Sequence, residues 1–335
     1  MPATYIPALH PLIMEWVDDI QAPPSTVSSS KACLNQWVAF LQSQHAGIFE
    51  AKKIHVRDYV KFLLATPTQR TGKPLSRTSI ETHLVKLRAF YAWAIKTEQE
   101  DELTGDVATT DPTKGVTRPR TGDHAVQPTL DEDDYAAMLA ACDRKNTEQR
   151  RDAAILSMLR WSGLRRGEIC KIDLDQWVDG PCPVIMVGSP DDPTKTNRSR
   201  VVPVHPETAK LIRRYLLHRG KDAGALFLSR RSRDARLTPN GVAQLVAKAR
   251  QRAGLPVSYD CHSFRRKWAI DARRSGISDA AMMSIAGWTN PAMIIRYTAS
   301  EKAKLAHEEF FQKMGVQPED KKQLRPRPQR YKKAS

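Results

Sequence analysis

No stretch of this 335-residue chain approaches the roughly 18 consecutive apolar residues of a membrane-spanning helix, so an integral helical membrane protein is not expected. Met1-Pro2-Ala3-Thr4 opens neither a basic nor an apolar leader region, and no secretory signal is expected. Cysteine is scarce: Cys33, Cys142, Cys170, Cys182 and Cys261 are an odd number with no Cys-x-x-Cys pair. That argues against a disulfide framework and for reduced, mostly buried thiols in a cytoplasmic protein. No His/Cys cluster has metal-ligand spacing and no Walker A glycine loop is present, so neither a metal nor ATP is expected as a cofactor. Acidic residues are also in short supply, 37 against 53 Lys and Arg, which leaves a formal charge of +16.

The length suits about two domains of roughly 150 residues each, enough chain to bury real cores without disulfide or metal staples. Plentiful apolar residues, seven tryptophans among them, argue against disorder of the whole. The surplus charge is uneven. Residues 1–125 hold 14 Lys and Arg against 13 Asp and Glu, whereas residues 126–335 hold 39 against 24. So basic a half favours a polyanionic partner, nucleic acid or an anionic membrane, with an ordinary solvated surface as the alternative.

Residues 1–110 read as a small all-helical bundle. Val27–Gln44 sets Leu34, Trp37, Val38 and Leu41 at helical spacing, and His55–Ala65 does the same with Val56, Tyr59, Val60 and Leu63. Ser76–Lys96 is a longer amphipathic segment with Ile80, Leu84, Leu87, Tyr91 and Ile95. Residues 111–125, carrying Asp111-Pro112 and Arg118-Pro119-Arg120-Thr121-Gly122, break any helix and read as a linker or strap. A second domain, 126–315, opens on a capping box formed by Thr129 and Glu132, and its helix Glu148–Ser162 stops at Gly163. Pro183–Gly188 and Ser199–Val204 look like strands around a polar turn, Asp191–Arg198. From Pro206 onward the pattern is helical, with starts at Thr238, Ser263 and Ser278 and stops at Gly220, Gly254, Gly276 and Gly287. The fold class is therefore mainly α with a small β-sheet, an α+β arrangement. Residues 316–335 hold seven Lys and Arg and two acids, the pattern of a basic, disordered tail.

Four segments of the second domain stand out together. Ser162-Gly163-Leu164-Arg165-Arg166-Gly167-Glu168-Ile169 is a turn that brings Arg165 to a helix N-terminus. Lys195 lies in a turn before the strand holding Arg200. His262 and Arg265, three apart, share one face of a helix. Ala286-Gly287-Trp288 is followed nine residues later by Tyr297. Each has an ordinary reading: Arg165 a surface cation, Lys195 a solvated turn residue, His262 a helix cap, Trp288 core, Tyr297 one tyrosine among eight. Their order and spacing form a conjunction that chance rarely supplies.

In these motifs the chain resembles the tyrosine recombinases, the phage integrases and Xer-type enzymes, through residues 126–315 and more loosely through 1–125. The resemblance implies a helical core-binding (SAM-like) domain and a mixed α/β catalytic domain that together clamp duplex DNA. It implies a site-specific recombinase in which Tyr297 attacks the scissile phosphorus, leaving a 3′-phosphotyrosyl link and a free 5′-hydroxyl. The covalent link conserves the bond energy, so no ATP or metal is implied. A phenol has an ordinary pKa near 10 and needs help at neutral pH. Arg165 and Arg265 would clamp the non-bridging oxygens, Lys195 would protonate the leaving 5′-oxygen, and His262 would assist proton transfer or bind phosphate. Trp288 stands where many relatives have His, and an indole can donate a hydrogen bond but cannot act as a base. Glu168 matches an acidic position that supports the site.

Arg77, His83, Lys86 and Arg88 on the helix Ser76–Lys96 are candidates for groove or phosphate contact, against a solvated face. Arg118 in the linker, Arg198 and Arg200 around the hairpin, and Arg231 are further candidates. The resemblance implies a homotetramer on two duplex sites, coupled through the C-terminal helix 300–314, whose alternative is packing on its own domain. Accessory DNA-bending proteins are left open as partners. No arm-binding module is expected before the bundle, which leaves integrase, resolvase and transposon enzyme, encoded by a bacterium, phage or mobile element, all open. A type IB topoisomerase and a non-cleaving DNA-binding regulator are the rival readings.

Overall fold

In a computed structural model the protein is described over residues 10–68, 71–117, 128–142, 145–188, 199–229, 235–299 and 302–314. The chain divides into two compact units, Met1–His124 and Ala125–Ser335. The whole is mainly helical, with one small antiparallel sheet in the second unit.

The first unit packs α1 (Pro11–Asp19), α2 (Pro24–Ser43), α3 (Lys53–Ala65) and α4 (Arg77–Lys96). Proline at the first position of α1 and α2 costs no hydrogen bond there and presets φ for the helix. Ser76 starts α4 by accepting from the Ser79 amide at 3.2 Å. The apolar stripes converge on a core containing Trp16, Trp37, Tyr59, Phe90 and Tyr91. Inside it, Trp37 Nε1 donates to Tyr91 Oη at 2.9 Å, and that hydroxyl donates to the Ile48 carbonyl at 2.7 Å. The start of the expected linker belongs to this bundle. Asp111 Oδ1 accepts from both the amide and the hydroxyl of Thr113, at 2.8 and 2.7 Å. The turn so closed buries Val116 in the core, and Arg88 Nη2 donates to the Val116 carbonyl at 3.3 Å.

The second unit runs α5 (Glu132–Ala140), α6 (Thr147–Trp161), α7 (Arg166–Lys171), β1 (Trp177–Val178), β2 (Val184–Val187), β3 (Arg200–Pro203) and α8 (Pro206–Arg219). It continues with α9 (Pro239–Arg252), α10 (Cys261–Arg274), α11 (Asp279–Ala286), α12 (Ala292–Thr298) and α13 (Lys302–Lys313). The strands pair in order β1-β2-β3, with Ile185 opposite Val202 and Val187 opposite Arg200. Ile185, Val187 and Val202 face a core built around Ala154, Ile155, Met158 and Leu159 of α6. Two helix starts differ from expectation. Asp131, not Thr129, caps α5 by accepting from the Asp133 amide at 2.9 Å, and Asp260, not Ser263, caps α10 by accepting from the Ser263 amide at 2.8 Å. In α10 Ser263 is the capping-box partner instead, its Oγ accepting from the Asp260 amide at 3.2 Å and donating to Asp260 Oδ1 at 3.0 Å. Strand β1 was not expected; two residues are too few to show an alternating pattern.

The buried hydroxyl relay in the first unit generates a prediction. Tyr91→Phe leaves the Trp37 indole N–H and the Ile48 carbonyl without their shared partner, at a cost of about 1–3 kcal/mol. Urea denaturation is the check: the midpoint should fall, and an unchanged midpoint would show that the relay contributes nothing.

Candidate active site

The site is organised by one carboxylate. Helix α6 ends at Gly163, whose φ of +64° lies in the left-handed region, and a Cβ there would stand 2.5 Å from Trp268 Cε3. Only glycine lets the chain turn so closely beneath that ring. Two residues on, Arg165 precedes α7 and Glu168 is its third residue. The Glu168 carboxylate reaches back to accept from the Arg165 amide at 2.7 Å (Oε2) and from its Nη1 at 3.1 Å (Oε1). Arg200 Nη2, from β3, donates to Oε2 at 3.0 Å, and Arg265 Nη1, from α10, lies 4.0 Å from the same oxygen. Glu168 is 8% exposed. Burial pushes its carboxyl pKa up, but the charge and hydrogen bond of Arg200, with the Arg165 amide, outweigh this and hold it below the usual value.

Arg265 is 1% exposed. It donates through Nη1 to the Gly163 carbonyl and through Nη2 to the Ala286 carbonyl at 2.7 Å. Burial first, then repulsion from Arg165, brings its pKa down to about 10, so it stays cationic at neutral pH. Helix α11 closes at Gly287 in the left-handed region, and the next residue, Trp288, is 5% exposed. The Trp288 and Tyr297 rings stack with centroids 5.2 Å apart and planes 18° from parallel. The Arg265 guanidinium carbon lies 5.1 Å from the Trp288 centroid and 5.5 Å from that of Tyr297, within cation–π range of both. Tyr297 itself is half-buried.

His262 is exposed on the first turn of α10. Desolvation by the protein around it, then the cations Arg265, Arg266 and Arg166, lower its pKa against the pull of Asp260. The ring is therefore neutral at pH 7, able to accept a proton or donate a hydrogen bond. Arg165, Glu168, Arg200, His262, Arg265, Trp288 and Tyr297 all belong to the second unit, and the structure draws all but His262 into one contact network. Three buried donors in that network, Trp288 Nε1, Arg265 Nε and Arg200 Nη1, have no partner among the described residues. Unpaired buried donors beside a surplus of guanidinium suit an anion.

Lys195, Arg118, Arg198 and Arg231 lie outside the described residues. On α4, Arg77 is exposed while Lys86 and Arg88 are half-buried, with Arg88 engaged at Val116. Arg200, expected at a phosphate, is 8% exposed and turned onto Glu168. Strand alternation carries the signal for this: Arg200 shares its face with Val202, two residues on, which is buried. An arginine on a core face requires a carboxylate partner. The carbonyls of Gly163, Ile285 and Ala286, which hold these arginines, leave no trace in the sequence. Among the described residues, no group of three or more His, Cys, Asp or Glu is placed to hold a metal ion. No helix there is long and apolar enough to cross a membrane. Phe310 on helix α13 and Met314 just past its end are exposed.

A half-buried phenol, stacked on an indole and beside buried arginines, thus sits in the basic α+β unit. The phage integrase family model matches residues 128–304, more than half of the chain, and the chain belongs to that family, the tyrosine recombinases. It is 25% identical over 300 residues to tyrosine recombinase XerC of Psychromonas ingrahamii, spanning 87% of this chain and 92% of that one. Tyrosine recombinase XerD of Shewanella oneidensis is 23% identical over 305 residues, covering 88% and 94%. Among solved structures, the XerH site-specific recombinase bound to palindromic difH substrate aligns with a TM-score of 0.67 at 13% identity, over 89% of this chain and 83% of that one. The Tn1549 transposon integrase in complex with transposon right end DNA aligns at 0.66 and 15%, over 90% and 100%. At those identities the structural likeness is one of fold.

The Glu168 geometry carries its own pH signature. Its folded pKa lies below the ordinary 4.5, so the ionised form contributes stability that is full above that value and is lost as pH falls through the folded pKa. Glu168→Gln should therefore cost on the order of 3 kcal/mol at pH 7 and clearly less at pH 3. Denaturant midpoints at the two pH values test this; an equal loss at both would contradict it.

Proposed function

We propose that this chain cuts and rejoins DNA at specific sites with Tyr297 as nucleophile, passing through a 3′-phosphotyrosyl intermediate. Family membership supports a site-specific recombinase, a DNA strand-transferring enzyme, over the topoisomerase and regulator readings. The observation that carries the assignment of Tyr297 is its half-exposed phenol stacked on Trp288, 5.5 Å from the Arg265 guanidinium. Tyr259 is a poor competitor: its hydroxyl donates to Asp134 at 2.6 Å, and burial with that carboxylate pushes its pKa up to about 12.

In the first step the Tyr297 oxygen bonds to phosphorus while the bond to the 5′-oxygen breaks, and the phenol loses its proton as the 5′-oxygen gains one. Rejoining reverses this with a 5′-hydroxyl from another strand, so the bond energy is conserved in the phosphotyrosine. Arg165 and Arg265 stabilise charge on the non-bridging oxygens; Arg265 is pre-oriented by two carbonyls and loses no freedom on binding. The Trp288 N–H, unpaired among the described residues, is a further donor for such an oxygen. His262, held neutral, takes part in proton transfer at the nucleophile, and Lys195, by family resemblance, protonates the 5′-oxygen. The partner is double-stranded DNA at a recombination site. A homotetramer on two such sites, joined through α13, is supported by the exposure of Phe310 on that helix and of Met314 just past its end.

A nicked duplex that traps the cleaved state tests the reading. Wild-type protein should form an SDS-stable adduct, and Tyr297→Phe should form none while binding DNA as before. An adduct of undiminished yield from Tyr297→Phe would remove Tyr297 from the mechanism.

A further inference from the structure

Arg200 lies on β3, and its guanidinium enters the centre of the site. Its Nε donates to the Ile285 carbonyl at 2.8 Å and its Nη2 to Glu168 Oε2 at 3.0 Å. The neighbouring carbonyl, Ala286, accepts from Arg265. Two guanidinium groups thus occupy successive carbonyls at the negative end of α11, immediately before Gly287 and Trp288. The close approach is made possible by Gly287. Its φ is +63°, and a Cβ there would stand 2.8 Å from both Cζ and Nη1 of Arg200.

The contacts of Glu168 are divided between its two oxygens. Oε2 accepts from the Arg165 amide and from Arg200, whereas Oε1 accepts from Arg165 Nη1. With Oε2 held at two points, the carboxylate plane is fixed and Oε1 is directed at the Arg165 guanidinium. Arg165 is 29% exposed, the most accessible cation of the cluster. We infer that Arg200 is a positioning residue for strand cleavage, acting through Glu168 to orient Arg165 toward the scissile phosphate rather than contacting DNA itself. The inference rests on the cleavage reading above. A buried arginine that merely held β3 to the unit would make the same contacts, so the experiment must separate orientation of charge from folding.

A scissile methylphosphonate does so, because replacing one non-bridging oxygen by methyl removes the negative charge that Arg165 serves. Arg200→Lys and Arg200→Gln are compared with wild type and Arg165→Ala on nicked duplexes carrying either linkage. Adduct formation is measured by SDS gel and DNA affinity by gel shift. On the phosphodiester both Arg200 variants should bind as wild type does but form the adduct about 10–100-fold more slowly, the scale at which partners behind a reacting group act. On the methylphosphonate their deficit should disappear along with that of Arg165→Ala. Equal deficits on the two linkages, or lost DNA binding in both variants, would overturn the inference and leave Arg200 as a structural residue. Full wild-type rates in both variants would overturn it as well. Absence of any adduct from wild type would instead overturn the cleavage reading, and this inference with it.

Discussion

The structure around the candidate active site depends on a buried carboxylate. Among the described residues, Glu168 is the acid that reaches Arg165, Arg200 and Arg265, groups that would otherwise repel one another in a region of reduced solvation. Its demands set the local chain path. Helix α6 must stop at Gly163 so that the carbonyl there can meet Arg265, and α7 must start just after Arg165 so that Glu168 can fold back onto its amide. Strand β3 must present Arg200 inward, and α11 must end in a glycine that leaves room for it. One negative charge among three positive ones leaves a surplus, and that surplus suits a phosphodiester.

On this electrostatic floor stands an aromatic platform. Trp288 stacks on Tyr297, and the buried Arg265 guanidinium lies within cation–π range of both rings. An indole neither gains nor loses a proton in the working range, so it can hold the phenol's ring in place without competing for its proton. Proton movement then falls to groups at the margin. His262 is suited to that work because desolvation, aided by the neighbouring cations, lowers its pKa.

Much of this was legible in residue order, and the exceptions have physical reasons. The periodic stripes of α2, α3 and α4 gave those helices to within about three residues at either end, because buried faces repeat at helical spacing. Starts were misplaced at Thr129 and Ser263 because the caps are Asp131 and Asp260, with Ser263 serving as the capping-box partner of Asp260. The segment after Asp111 looked like a strap, yet a side-chain-closed turn seats Val116 in the bundle. In the site, order and spacing together with the family resemblance singled out the motif residues, whereas Arg200 was expected at a phosphate and instead turns onto Glu168. Only strand pairing, Val187 against Arg200 and Ile185 against Val202, decides which face of a four-residue strand is inward.

The +16 charge first suggested a polyanion without naming a reaction. The geometry narrows the meaning of that charge to a few buried guanidinium groups beside one phenol. The most direct test is to identify the amino acid that becomes joined to DNA. Protein trapped on a nicked duplex is digested with trypsin, and the DNA-linked peptide is sequenced by mass spectrometry. The account predicts the peptide Tyr297-Thr298-Ala299-Ser300-Glu301-Lys302 joined through its tyrosine to a 3′-phosphate. A link through Tyr259, Tyr331 or any other residue, or to a 5′-phosphate, would contradict it.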